Sequence, residues 1–239
     1  MSEPWIALIA SALAGAVLWW WLDGVILRRA ARLIDRRFKQ LQGAPSWTPL
    51  GDAGDIPRAA ISRLDEFDAL CRGSFGFAPL GRLREFSAEG ALLGVRTVLL
   101  NPERTIAAVF ACSHVRKELA FRSFVSETDG RIFSSTDAKS VSPETPEVTV
   151  LRHGAKEETA ALLQDLRTQL AAVEAPLRRF ESLGAYQEMQ MRYWRIGDEA
   201  RRRNGYVVDL ESLRRLAPAH LSARRLARVH TEILKLNRS

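Results

Sequence analysis

From Trp5 to Leu22 eighteen residues pass without a charge, and the following stretch carries Arg28, Arg29, Arg32, Arg36, Arg37 and Lys39. At 1.5 Å per residue the uncharged run covers about 27 Å as a helix, close to the roughly 30 Å of bilayer hydrocarbon. The pattern predicts a membrane-spanning helix with Trp19, Trp20 and Trp21 as an interfacial aromatic belt. The basic residues hold its C-terminal side in the cytoplasm and leave the N-terminus outside. A cleaved signal peptide needs a basic stretch before the run and a small-residue site after it, and neither is there. Ala7, Ser11 and Gly15 recur at four-residue steps, a flat stripe suited to packing against a second span, either of this chain or of another membrane subunit.

Beyond the run, Ile26, Ala30, Leu33, Ile34, Phe38 and Leu41 alternate at helical spacing with Arg28, Arg32, Arg36 and Lys39. Residues 24–42 therefore read as a basic amphipathic helix, suited to the anionic inner leaflet. Gly43, Pro45, Pro49, Gly51 and Gly54 make 43–55 a linker. Pro57 suits a first helical turn; Ile61, Leu64, Phe67, Leu70 and Cys71 follow at helical steps until Gly73.

From Phe75 the period changes to two. Strands are expected around Leu83–Phe86 and over Leu92–Leu100, Thr105–Cys112, Leu119–Val125 and Arg131–Ser135. They are separated by the turn sequences Ala88-Glu89-Gly90, Asn101-Pro102-Glu103 and Thr128-Asp129-Gly130. Connections this short make neighbours antiparallel. Ile106, Ala108, Phe110 and Cys112 share one face, which needs a cover from the first helix and from Glu157–Val173, with its stripe Leu162, Leu163, Leu166, Leu170 and Val173. The fold class is thus α+β: one transmembrane helix (1–23), a two-layer domain over 56–173 with an antiparallel sheet of about five strands, and a basic helical extension over 174–239. Asp137–Ala155, rich in Ser, Thr and Pro, reads as a surface loop. The extension divides into a helix from Pro176 to Arg203, a short helix with Leu210, Leu213 and Leu216, and a last one with Leu221, Leu226, Val229 and Ile233. Phe180, Tyr186, Tyr193 and Trp194 either pack on the sheet or form a contact surface.

The net charge of +7 is uneven: residues 40–194 carry eighteen basic and twenty acidic residues, and 195–239 eleven against five. The basic ends ask for an anionic partner. Arg201, Arg202, Arg203, Arg224, Arg225 and Arg228 form the candidate C-terminal contact surface. Nucleic acid is the less favoured partner, because a helix-turn-helix drawn over Leu210–Leu236 has a proline in its turn and no Asn or Gln on the reading face.

Little chemistry is legible. Cys71 and Cys112 offer no disulfide or metal spacing and read as small core residues. Cys112 and His114 share a strand face, but that face points into the core. His153, His220 and His230 lack ligand spacing; Asp65, Glu66 and Asp68 read as the solvated side of the first helix. Gly73-Ser74-Phe75-Gly76-Phe77 runs from helix to strand, the reverse of a phosphate-cradling loop. No cofactor is expected and no catalytic set. The expectation is a single-pass, membrane-anchored cytoplasmic binding or scaffolding protein in a larger membrane assembly. The rivals are a tethered nucleic-acid binder and a membrane-surface enzyme without a recognisable motif.

Overall fold

The computed structural model describes residues 18–19, 21–36, 44–51, 54, 56–113, 120–138, 145–203, 210, 213–214 and 222–237. In chain order their elements are α1 (21–36), β1 (Ser46–Pro49), α2 (Arg58–Phe75), β2 (Ala78–Phe86), β3 (Leu92–Leu100), β4 (Ile106–Ser113), β5 (Ala120–Thr128), β6 (Arg131–Thr136), β7 (Val148–Arg152), α3 (Thr159–Ala171), α4 (Leu183–Arg203) and α5 (Ala223–Leu236). The chain divides into two compact units, one from its two ends (1–41 with 204–239) and one from 42–203.

The larger unit is built on a seven-stranded sheet whose spatial order follows the sequence, β1 to β7. Pairs from β1/β2 to β5/β6 are antiparallel and β6/β7 is parallel. Local chemistry sets the turns. Asn101 Oδ1 accepts from the Thr105 and Ile106 amides at 2.8 and 2.7 Å, closing the β3–β4 connection. Asp129 (φ 40°) and Gly130 (φ 78°) form the two-residue hairpin that an Asp-Gly pair favours. Helix α2 stops at Gly76, left-handed at φ 71°, whose amide reaches back to the Arg72 carbonyl. At Gly94 a side chain has no room: a Cβ there would overlap the Cys112 carbonyl oxygen of β4.

Both faces of the sheet are covered. On one, Leu99, Ile106, Ala108, Phe124 and Phe133 pack against Phe67 and Cys71 of α2 and Leu162, Leu163, Leu166 and Leu170 of α3. On the other, Leu83, Val98, Val109, Val125, Ile132, Val148 and Val150 meet Phe180 and, from α4, Tyr186 and Met189. Each fully buried large apolar side chain contributes about 1.5–3 kcal/mol, so α4 is a structural layer.

The smaller unit pairs α1 with α5. Leu27 and Ala31 of α1 and Leu226, Val229 and Ile233 of α5 are buried, at three- and four-residue steps. Asp23, near the start of α1, binds Arg225 (3.1 Å) and Arg228 (2.6 Å) near the start of α5. At the other end Asn237 donates to Asp35 at 2.9 Å, so the helices run in the same direction.

The expected fold class needs correcting in three ways. The sheet has seven strands and is mixed, because Ser46–Pro49 inside the expected linker and Val148–Arg152 inside the expected loop are edge strands. The layering is helix–sheet–helix, because β3 and β4 are apolar on both faces. The single-pass topology and membrane location are overturned as well: among the described residues no helix is long and apolar enough to cross a membrane. Physically, α1 carries Asp23, Arg28, Arg29, Arg32, Asp35 and Arg36 within its length and buries Leu27 and Ala31 in a seam with α5. Ala7, Ser11, Gly15, Trp20, Arg37 and Lys39 lie outside the described residues.

Candidate functional site

Helix α1 presents two apolar faces. Leu27 and Ala31 fill the seam with α5, whereas Ile26 and Leu33 are 63 and 66% exposed, Leu22 40% and Trp19, in the helical residues 18–19 ahead of α1, 69%. Positions 19, 22, 26 and 33 lie on one stripe of a helix, on the side away from 27 and 31. Arg29 occupies the remaining place in that stripe, one turn from both Ile26 and Leu33, and is exposed. Trp21 is 55% exposed. Arg28 and Arg32 lie on another flank, where α1 and α5 enclose a groove of about 590 Å³ bounded by Trp21, Leu27, Arg28, Arg228, Glu232 and Lys235.

The C-terminal arginines separate into two groups. Arg225 and Arg228 clamp Asp23, whose carboxyl is held below its usual range chiefly by the Arg228 hydrogen bond; Arg224 is exposed on the same helix. Arg201, Arg202 and Arg203 belong to the larger unit. Arg201 is buried beside Asp198, its guanidinium 5.8 Å from the centre of the Trp194 ring, Arg202 donates to Asp198 at 3.0 Å, and Arg203 is exposed beside Glu199. Of the proposed helix-turn-helix segment only residues 210, 213–214 and 222–236 are described.

Sequence reasoning missed the sharpest polar geometry, at the end of the sheet where β6 and β7 terminate. Ser135 Oγ lies 2.8 Å from His153 Nε2, and His153 Nδ1 lies 2.7 Å from Glu157 Oε2. Glu157 also accepts the Gly154 amide at 2.9 Å, and this bond, with the His153 contact next, holds its carboxyl below the usual range. Beside this chain, Arg122 binds Asp137 at 2.7 Å, Thr159 at 3.0 Å and the Ala155 carbonyl at 3.3 Å. The connectivity is that of a serine–histidine–carboxylate triad. Access decides against nucleophilic use: Ser135 is 0% exposed, so an acyl carbon has no path to Oγ. The array instead ties the ends of β6 and β7 to the first turn of α3. Only the His-x₃-Glu spacing was visible in the sequence; Ser135, eighteen residues upstream, is brought in by the parallel β6/β7 pairing.

Asp68, Cys71 and Cys112 are buried. Asp68 is buried, accepting from Arg82 at 2.6 Å and Thr97 at 2.8 Å, which corrects its reading as a solvated residue. Burial pushes the Cys71 thiol up to about 12 and raises Cys112 too, so neither is a thiolate at neutral pH. Among the described residues no three His, Cys, Asp or Glu gather to hold a metal ion. No protein-family model matches this chain. No curated protein and no solved structure shows significant similarity to it.

Proposed function

We propose that this chain is a binding or scaffolding protein, not an enzyme, whose helical unit docks a helix of a partner protein along α1. The observation that carries this reading is the exposed stripe of Trp19, Leu22, Ile26 and Leu33 on a helix whose opposite face is already occupied by α5. Exposed apolar side chains in a continuous row mark contact surfaces, and their three-, four- and seven-residue steps fit a coiled-coil seam. Arg29 selects the occupant. In a parallel pairing with a second copy it would face its own equivalent, so the favoured partner brings an apolar seam with a carboxylate at that level. The inaccessibility of the Ser135–His153–Glu157 chain supports the non-enzymatic reading.

The test is site-specific photo-crosslinking in the native host, with a photoreactive residue at Ile26, at Leu33 or, as control, at the exposed Glu89 of the larger unit. One protein adduct of the same mass at both stripe positions and none at Glu89 is expected. The adduct, identified by mass spectrometry, should contain a heptad-patterned helix with an Asp or Glu within the seam. No adduct at either stripe position, or the same adducts at all three positions, overturns the reading.

A further inference from the structure

We infer that the groove between α1 and α5 is a second docking site, for an acidic amphipathic segment of a protein. The inference rests on the helical unit being an interaction surface but uses a different flank of α1 from the exposed stripe.

The groove combines cations with apolar surface. Arg28, Arg228 and Lys235 line it together with Trp21 and Leu27, and a smaller pocket that shares Arg28, Glu232 and Lys235 with it is lined by Arg32 and Leu236 as well. Two of the four cations are already neutralised, Arg228 by Asp23 at 2.6 Å and Lys235 by Glu232 at 2.8 Å. Arg28 uses its Nε on the Gly24 carbonyl at 3.3 Å, and neither Arg28 nor Arg32 has a carboxylate partner among the described residues. Among the described residues the groove and the pocket beside it therefore offer two positive charges without a carboxylate partner, one helical turn apart, or about 6 Å.

That pattern distinguishes between anionic partners. Carboxylates at i and i+4 of a helix repeat at the same interval, so two glutamates of a bound helix meet Arg28 and Arg32 while its apolar side chains rest on Trp21, Leu27 and Leu236. Nucleic acid is poorly served. Affinity for a polyanion grows with the number of phosphates neutralised, commonly about 6–10, and here the described residues supply two cations without a carboxylate partner, beside the Glu232 carboxylate. Arg28 and Arg32 are exposed, so charge complementarity sets partner choice more than affinity.

Fluorescence anisotropy on the full chain tests the assignment. The probe is a fluorescein-labelled synthetic helix with leucines on one face and glutamates at i, i+4 spacing; a copy with Gln for every Glu and a labelled oligothymidine are the comparisons. The glutamate helix is expected to bind saturably and the other two at least about tenfold more weakly. Arg28→Glu with Arg32→Glu should lower affinity for the glutamate helix about tenfold, with the circular dichroism spectrum and melting unchanged. The milder pair Arg28→Gln with Arg32→Gln should give a smaller loss in the same direction. Absence of saturable binding, retention of affinity in both double variants, or preference for the oligothymidine overturns the inference. In Ile26→Asp with Leu33→Asp, which removes the stripe, the loss caused by Arg28→Glu with Arg32→Glu should be retained. Loss of peptide affinity in the stripe variant, with Arg28 and Arg32 dispensable, moves the segment to the stripe and overturns the groove assignment while the proposed function stands; a failed crosslinking test with normal peptide binding does the reverse.

Discussion

Removing Glu85 should damage the larger unit more than removing both Glu85 and its partner. Arg96 projects from β3 into the layer beneath α4, with its side chain only 6% exposed; its ion-pair partner there is Glu85 of β2, itself 22% exposed. The Arg96 guanidinium lies 5.4 Å from the centre of the Trp47 ring of β1, so the pair also anchors the first edge strand. Glu85→Ala leaves a buried cation without a carboxylate. Breaking a buried pair in this way costs about 3–5 kcal/mol. The partial exposure of Glu85 lets some water reach the guanidinium, which places the expectation near 3 kcal/mol, a large share of the roughly 5–15 kcal/mol that holds a domain. In Glu85→Ala with Arg96→Met the buried charge is gone and an apolar chain of similar length fills its place. This double variant should recover at least about 2 kcal/mol relative to the single one. Arg203→Ala, an exposed residue beside Glu199, should change stability by less than about 0.5 kcal/mol. Native-state hydrogen exchange of the β3 and β4 amides reads this unit directly. A loss below about 1 kcal/mol in Glu85→Ala, or a double variant as unstable as the single one, would refute the argument that burial of Arg96 governs the cost.

Two further outcomes are expected. Ser135→Ala should destabilise by about 1–3 kcal/mol by stranding His153, and a fluorophosphonate should leave Ser135 unlabelled in the native protein; labelling would show that Oγ is reachable and reopen an enzymatic reading. Because the Asp23 carboxyl is held low by Arg228 and Arg225, its contribution is present above the unfolded value near 3.9 and lost as pH falls through the folded value. Protection factors of α5 amides should therefore decline on acidification below about pH 4 in the wild type and be lower but flatter in Asp23→Asn; equal slopes would assign the acid sensitivity elsewhere.

Local signals carried the middle of the chain and non-local ones were lost. Leu92–Leu100 coincides with β3, and the Asn-Pro and Asp-Gly turns fall where expected because their chemistry is contained in four residues. The edge strands escaped notice because Ser46–Pro49 and Val148–Arg152 sit among prolines and glycines, and only pairing with β2 and β6 makes them strands. Alternation on β4 placed Ile106, Ala108, Phe110 and Cys112 on one face; the equally apolar Ala107, Val109 and Ala111 were the overlooked sign of a second covering layer. Asp68 looked solvated because nothing near it in the chain announces Arg82 and Thr97, fourteen and twenty-nine residues away. The uncharged run Trp5–Leu22 promised a span, and of it only residues 18–19 and 21–22 are among those described.

The helical unit joins two parts of the chain that no local signal connects. Asp23 meets Arg225 and Arg228 across 202 and 205 residues of chain. The seam between α1 and α5 buries Leu27, Leu226, Val229 and Ile233, at about 1.5–3 kcal/mol each before the entropy of ordering two helices is subtracted. A partner helix laid on Trp19, Ile26 and Leu33 removes exposed apolar surface from the one element that both seams share. Binding and ordering of α1 and α5 are therefore linked, and at a hundredfold excess over its dissociation constant the partner adds about 2.7 kcal/mol to the unit. The larger unit, covered on both faces, has no comparable apolar stripe among its described residues, its exposed large hydrophobics being the separate Leu70 and Leu93. On the proposed reading, recognition falls to the helix that carries the exposed stripe.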